Sequence, residues 1–421
     1  MLFLALVLCQ PPAVRDFTNV VLPAGADPWV ARGDDGTYYL LTTTARDVTV
    51  RRAKSLAGLG AGESKVVWTP PATGPASQNL WAPELHRLDG KWYVYVAVDD
   101  GRNENHRLYV LENPDPDPFA GTFTLKGKVA DPAADRWAID GTVLTVRGKQ
   151  YLVWSGWAGT TDVRQNLYVA PLANPWTLAG PRVKMAEPTH PWEKVGAPPA
   201  VLEGPQALVH GDAVHVLYSA SGSWTDSHCM GRLTLTPGGD PLDPSAWVKH
   251  PEPVFRSGNG VTAPGHCCFA QSPDGKDDWL LYHVARFPGA GWNRQVRLQP
   301  FAWAADGTPA FGEPAAPDKL LSLPGGEPTR WRFPVAGGRV TVTAPKAGEY
   351  AVGFRYRTPA GADDEAKISV RVGGRRGRTW VATVRTEGRW SVAYARLPLA
   401  AGDNALTLTG PEVGSVDVWR P

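Results

Sequence analysis

Three acids stand among small or apolar neighbours: Asp27 in ADPWV, Asp140 in AIDGT and Glu203 in LEGPQ. A carboxylate in such surroundings is costly unless it is hydrogen-bonded or has chemistry to perform. For any one of them a turn cap is a sufficient account. Three acids in one register along the chain are harder to explain that way. Two carboxylates across an aromatic-walled pocket supply what cleavage of a glycosidic bond needs. One protonates the leaving oxygen; the other activates water or attacks the anomeric carbon. A third carboxylate nearby would raise the donor's pKa by like-charge repulsion and keep it protonated near neutral pH.

These acids must be positioned by repeated elements. Together with Glu84 in WAPEL and His266 in PGHCC they recur at a step of about 60 residues. Each landmark opens an apolar run, a polar turn and a Trp/Tyr-rich run: VARGDDGTYYLLTT, LHRLDGKWYVYVA, VLTVRGKQYLVWS, ALVHGDAVHVLYS and FAQSPDGKDDWLLYH. Asp-Gly, Gly-Lys and Gly-Asp turns between β-branched and aromatic runs are hairpin signals. Five copies predict an all-β chain whose residues 17–315 form a five-bladed β-propeller. The innermost strands of a propeller face one axis, so five equivalent positions are expected to converge on one funnel. Val20 to Leu22 and Gln295 to Trp303 read as terminal strands able to close the ring.

Beyond it, residues 316–329, with SLPGGEP, read as a linker. From 330 to 421 short alternating strands crowd together, predicting a small, jelly-roll-like β-sandwich that could bind carbohydrate. Its Trp380, Trp390, Trp419 and Tyr356 are candidates either for sugar stacking or for the core. At the other end, residues 1–16 contain LFLALVLC, a signal-like or tail segment without a basic start and too short to span a membrane. Export, secreted or periplasmic, is expected. A lipid anchor at Cys9 is the weaker option, because Leu8 is large where a small residue belongs. With Cys9 set aside, Cys229, Cys267 and Cys268 form neither a disulfide framework nor a zinc site. They are read as buried thiols, with a bridge from Cys229 as the alternative. A net charge of +2 leaves no footprint for nucleic acid or an anionic membrane. A monomer is expected.

In their order along the chain, ADPWV, NLWAPELHRLDGKWYVYV, AIDGTVL, QNLYVAPLANPWTL, LEGPQAL and RQVRLQPFAWAADGTP resemble glycoside hydrolase family 43, from about residue 20 to 315. That family holds α-L-arabinofuranosidases, endo-arabinanases and β-xylosidases on five-bladed propellers. The resemblance implies Asp27 as general base, Asp140 as the aspartate that tunes and orients the acid, and Glu203 as general acid. It also implies inversion, with the base and acid carboxyls roughly 6.5–9.5 Å apart. His266 matches an axial histidine that contacts a calcium or sodium ion, mainly through waters; the chemistry itself requires no cofactor. Substrate contacts are expected from Trp81, Trp29 and Arg294, and from Glu84 as a buried hydrogen-bonding group of the pocket floor. Arg297 is read as sharing Arg294's face and so as its alternative. The vicinal Cys267 and Cys268 depart from the family pattern and put the pocket floor in doubt.

Competing readings are weaker. A sialidase would repeat Ser-x-Asp-x-Gly-x-x-Trp boxes, and SPDGKDDW occurs once with its glycine a position early. A fructan-cleaving propeller would follow ADP with Asn-Gly. A lectin-like propeller that lost hydrolysis would be expected to have lost an acid. The substrate expectation is a terminal α-L-arabinofuranosyl residue on an oligosaccharide or polysaccharide, with β-xylosidase and endo-arabinanase as alternatives.

Overall fold

The computed structural model describes residues 11–131, 133–359, 366–373, 378–384 and 388–421. Cys9 and most of the signal-like segment lie outside them. Among the described residues the elements are strands and short 3₁₀ turns. Asp-Gly and Gly-Lys turns let each alternating run fold back on its predecessor, and the result is five antiparallel sheets in chain order. They start at Trp29–Arg32, Gln78–Leu88, Ala138–Val146, Leu202–His210 and Thr262–Gln271. These first strands touch one another in a ring, the fifth packing on the first, which is the geometry of a five-bladed propeller.

Apolar residues on both faces of each blade fill the wedges between neighbours. Leu144, Val153 and Val169 of the third blade pack with Val216, Tyr218 and Leu233 of the fourth. The N-terminal segment closes the ring. Val21 donates its backbone N–H to Val296 at 2.8 Å, and Val296 donates to Leu22 at 2.9 Å. That edge belongs to Arg294–Trp303, the third strand of the fifth blade.

Two segments are more ordered than composition implied. Ala13–Val14, inside the expected leader or tail, pairs with Arg330–Pro334. Leu320–Ser322, inside the expected linker, pairs with Asp16–Thr18. The C-terminal strands form two four-stranded sheets around one apolar core, a sandwich, and Ala13–Val14 adds a fifth strand to one of them. Trp419 and Tyr356, 1 % and 0 % exposed, are buried. Trp380 stacks on Phe354 at 5.3 Å, while Trp390 lies under the Arg355 guanidinium at 4.2 Å. The sandwich meets the propeller closely at Gly60, where a Cβ would lie 2.2 Å from both the Tyr394 ring and the Val21 carbonyl.

Candidate active site

Strand alternation alone would point side chains into the neighbouring blades. A repeated backbone device aims some of them down the axis. Ala82, Asp140, Gly204 and His266 have φ of 43°, 55°, 54° and 33°. Each sits within a register break between the first two strands of its blade. Asp27, just ahead of the first blade, has φ 53°. Such bulges with left-handed residues bend a strand and re-aim its side chains, and a non-glycine residue there costs roughly 1–3 kcal/mol.

This corrects the expectation of five equivalent positions. Only Asp27, Asp140 and His266 occupy the left-handed position itself. Glu203 precedes it, and Glu84 lies two residues after it. The offset sends Glu84 elsewhere. It is 1 % exposed, and its oxygens accept hydrogen bonds from Gln206 and from His86, the latter at 2.9 Å.

Asp27 keeps 17 % of its side chain open. Burial alone would raise its pKa. The imidazoles of His266 and His283 and the Arg294 guanidinium outweigh burial and hold the carboxyl well below the usual range. His266 Nδ1 lies 3.4 Å, His283 Nδ1 3.2 Å and Arg294 3.7 Å from Oδ1. The Asp27 N–H and an Arg294 N–H both point at His283 Nδ1, at 3.2 and 3.3 Å. Burial lowers the pKa of the His283 ring. The second oxygen of Asp27 accepts from the Thr43 hydroxyl at 2.6 Å.

Glu203 is partly open, and its pKa is pushed up to about 7. Burial is the largest cause, opposed by Arg294, reinforced by the Asp27 charge and opposed again by a hydrogen bond from Ser223. Asp140 is 4 % exposed. Its carboxyl is pushed well up by burial, then by Glu203 and Asp27, against a hydrogen bond from the Gly204 N–H of 2.8 Å. Asp27 raises Glu203, and Glu203 and Asp27 both raise Asp140, so the three carboxyls act on one another. Glycine at 204 is required twice. Its φ is positive, and a Cβ would lie 3.0 Å from the His266 ring.

The remaining expected contacts divide. Arg294, 7 % exposed, donates to the Ser223 carbonyl at 2.6 Å, and its Nε has no partner among the described residues. Arg297 is three positions further on, so strand alternation puts it on the opposite face, towards Ala315 at 3.5 Å. It is not an alternative to Arg294. Trp81 stacks on His106 at 3.9 Å and is partly open. Trp29 donates to the Leu85 carbonyl at 2.8 Å and packs against the apolar clusters on both sides of the first blade. Cys267 and Cys268 are free thiols on opposite faces of their strand, in two different inter-blade clusters. Cys229 is also free and buried.

His266 is the single protein ligand expected for a cation. Burial lowers its pKa, and among the described residues no group of three or more His, Cys, Asp or Glu side chains is placed to hold a metal ion. The donor set is not a protein cage.

Sequence reasoning missed Thr43, His283, Ser223, Trp224 and Trp292. Trp292 is 70 % exposed, and its Nε1 donates to Ser223 Oγ at 3.2 Å. Trp224 is 38 % exposed. Both sit in Gly/Ser-rich loops, SGSW and GAGW, where an aromatic has no core to fill; that was the available signal.

A propeller whose axial strand ends bring together Asp27, Asp140 and Glu203, with the pKa of Asp27 lowered and that of Glu203 raised, has the arrangement of an acid–base hydrolase acting on sugars. The sequence model of the Glycosyl hydrolases family 43 matches residues 17–309, and the chain belongs to that family. An "Extracellular exo-alpha-(1->5)-L-arabinofuranosidase" of Streptomyces avermitilis is 38 % identical over 312 residues, 71 % of this chain and 64 % of that protein. "Alpha-L-arabinofuranosidase 43" of Humicola insolens is 35 % identical over 74 % of this chain and 66 % of its own length. The chain thus matches slightly under two thirds of these relatives. Among solved structures, an α-L-arabinofuranosidase from Lactobacillus brevis is 34 % identical with a TM-score of 0.66, covering 71 % of this chain and 97 % of its own. A xylan β-1,4-xylosidase from Bacillus halodurans, 12 % identical with a TM-score of 0.56, covers 96 % of this chain and 98 % of its own, and shows the fold alone.

Proposed function

We propose that the chain is an exo-acting, inverting α-L-arabinofuranosidase that releases terminal arabinofuranosyl residues from a polysaccharide or oligosaccharide outside the cell. The observation that carries this is the opposed protonation of two partly open carboxyls on one axis. Asp27 is held ionised, and Glu203 is held protonated up to about pH 7. Asp27 takes a proton from water as the oxygen attacks the anomeric carbon, and Glu203 gives its proton to the departing glycosidic oxygen. Solvent then restores both groups. Arg294 has an unpartnered Nε to offer a sugar hydroxyl. Glu84, with both oxygens engaged, serves as framework, and Trp81 offers its open face to the sugar. A hard cation beside His266 would take one imidazole and mostly water, and no step passes through it. The names of the relatives support arabinose and an extracellular location. Among the described residues no helix is long and apolar enough to cross a membrane.

Aryl α-L-arabinofuranoside, aryl β-xyloside and linear arabinan test the reading. Arabinose release from the first, and one sugar at a time from the third, is expected. Xylose release alone, or only oligomers from arabinan, would overturn it. NMR of the first product should show the inverted anomer.

The exposed indole of Trp292, linked through Ser223 to Glu203 and Arg294, is placed as a platform for the next sugar of the chain. Trp292→Ala is expected to raise KM for arabinan about tenfold, more than KM for the aryl substrate. Equal changes in both would remove the platform role.

A further inference from the structure

The second blade fills its left-handed axial position with Ala82, which brings no functional side chain. Its backbone N–H is what faces the site, and it donates to Thr43 Oγ1 at 2.8 Å. The same oxygen lies 2.6 Å from Asp27 Oδ2. A hydroxyl has one proton to give and two lone pairs to receive. With one lone pair occupied by the Ala82 N–H, the Thr43 proton is directed at Asp27. We infer that Thr43 is a positioning residue for the base: the second blade orients its hydroxyl so that its proton holds Asp27 Oδ2 in one place. This rests on the assignment of Asp27 as base in the proposed hydrolase.

Three features make the contact more than a turn. Thr43 lies two residues beyond the second strand of the first blade, Tyr38–Leu41, and its segment is tied to the second blade by mutual backbone hydrogen bonds between Ala45 and Leu80. Its own N–H donates to the Ala26 carbonyl at 3.2 Å, next to the base. The carboxylate is thereby fixed from both sides, by Thr43 at Oδ2 and by His266, His283 and Arg294 around Oδ1. With its proton directed by the Ala82 N–H, the Thr43 hydroxyl leaves Oδ2 a single favoured orientation. Two blades therefore share the task of holding the base: one supplies the hydroxyl and the other dictates which way its proton points.

The test compares Thr43→Val, which keeps the shape and loses the hydroxyl, with Thr43→Ser, which keeps the hydroxyl and loses the methyl. On aryl α-L-arabinofuranoside, T43V is expected to lower kcat about 10- to 100-fold with little change in KM. T43S should stay within about threefold of the parent. A T43V enzyme with parental kcat, or a T43S enzyme as damaged as T43V, would overturn the inference. If T43V fails to fold, Thr43→Ala carries the same expectations. A second measurement does not depend on turnover. In crystal structures of parent and T43V, the Asp27 carboxylate should keep one orientation in the parent and turn from it in T43V. An unmoved carboxylate refutes the inference even if the parent hydrolyses no pentoside, whereas an inactive parent with a turned carboxylate in T43V refutes the hydrolase reading alone.

Discussion

Glu203→Gln is expected to lower kcat/KM on a glycoside with a poor leaving group by about 10²- to 10⁴-fold, the range a positioned general acid supplies. The amide keeps the shape of the side chain but has no acidic proton to donate. The loss should shrink on aryl arabinofuranosides with an acidic phenol, because such a leaving group departs with little help. The pH profile gives an independent signature. The parent should lose activity as pH rises through about 7, where Glu203 gives up its proton. The sign follows from the role: a general acid works only while protonated, so raising its pKa extends activity upwards. In Glu203→Gln this limb should vanish. An unchanged limb would assign the acid to another group. The acid limb of the parent should lie below the ordinary carboxylate range, since Asp27 ionises there.

Asp27→Asn is expected to be at least as damaging, about 10⁴-fold at the upper end of acid–base catalysis, and equally so for good and poor leaving groups. Water must be activated whatever group departs. A second effect follows from the same charge. Asp27 raises Glu203 by like-charge repulsion, so neutralising it should lower Glu203's pKa and bring the basic limb down. A single substitution would then both reduce the rate and move the other residue's titration. Kinetics of residual activity, or carboxyl NMR of Glu203, measures the shift. If Glu203 titrates as in the parent, the two carboxyls do not sense each other across the pocket. A retaining glycosidase would show itself here too, because its nucleophile variant blocks formation of a covalent intermediate that an inverting enzyme never makes.

The architecture was legible because its determinants are local. Alternation of apolar and polar residues and Asp-Gly turns specify hairpins within about a dozen residues, and their repetition specifies the ring. The acids were legible because carboxylates amid small and apolar residues are conspicuous. The equivalence of the five landmarks was misread for a physical reason. A β-bulge shifts register by one residue, and a left-handed φ at an Ala, Asp or His leaves no mark in composition. Glu84 is the buried hydrogen-bonding group expected, but its bonds go to Gln206 and His86, and it stands out of register with the other three acids. Arg297 looked like a partner of Arg294 but stands an odd number of positions away. Cys267 and Cys268 are the buried free thiols expected, but one packs into each neighbouring wedge, which their adjacency in sequence did not reveal.

The sequence by itself determined how many blades there are, which way each hairpin turns and which residue types reach the axial end of the strands. Only the tertiary structure decided which carboxyl has its pKa lowered and which has it raised. A pKa is set by burial and by charges through space, and those come from remote parts of the chain. His283, which accepts the Asp27 N–H, is 256 residues away, and Ala82, which turns the Thr43 hydroxyl, is 39 residues beyond it in the next blade. Closing the ring brings them together, and no local pattern could have announced it.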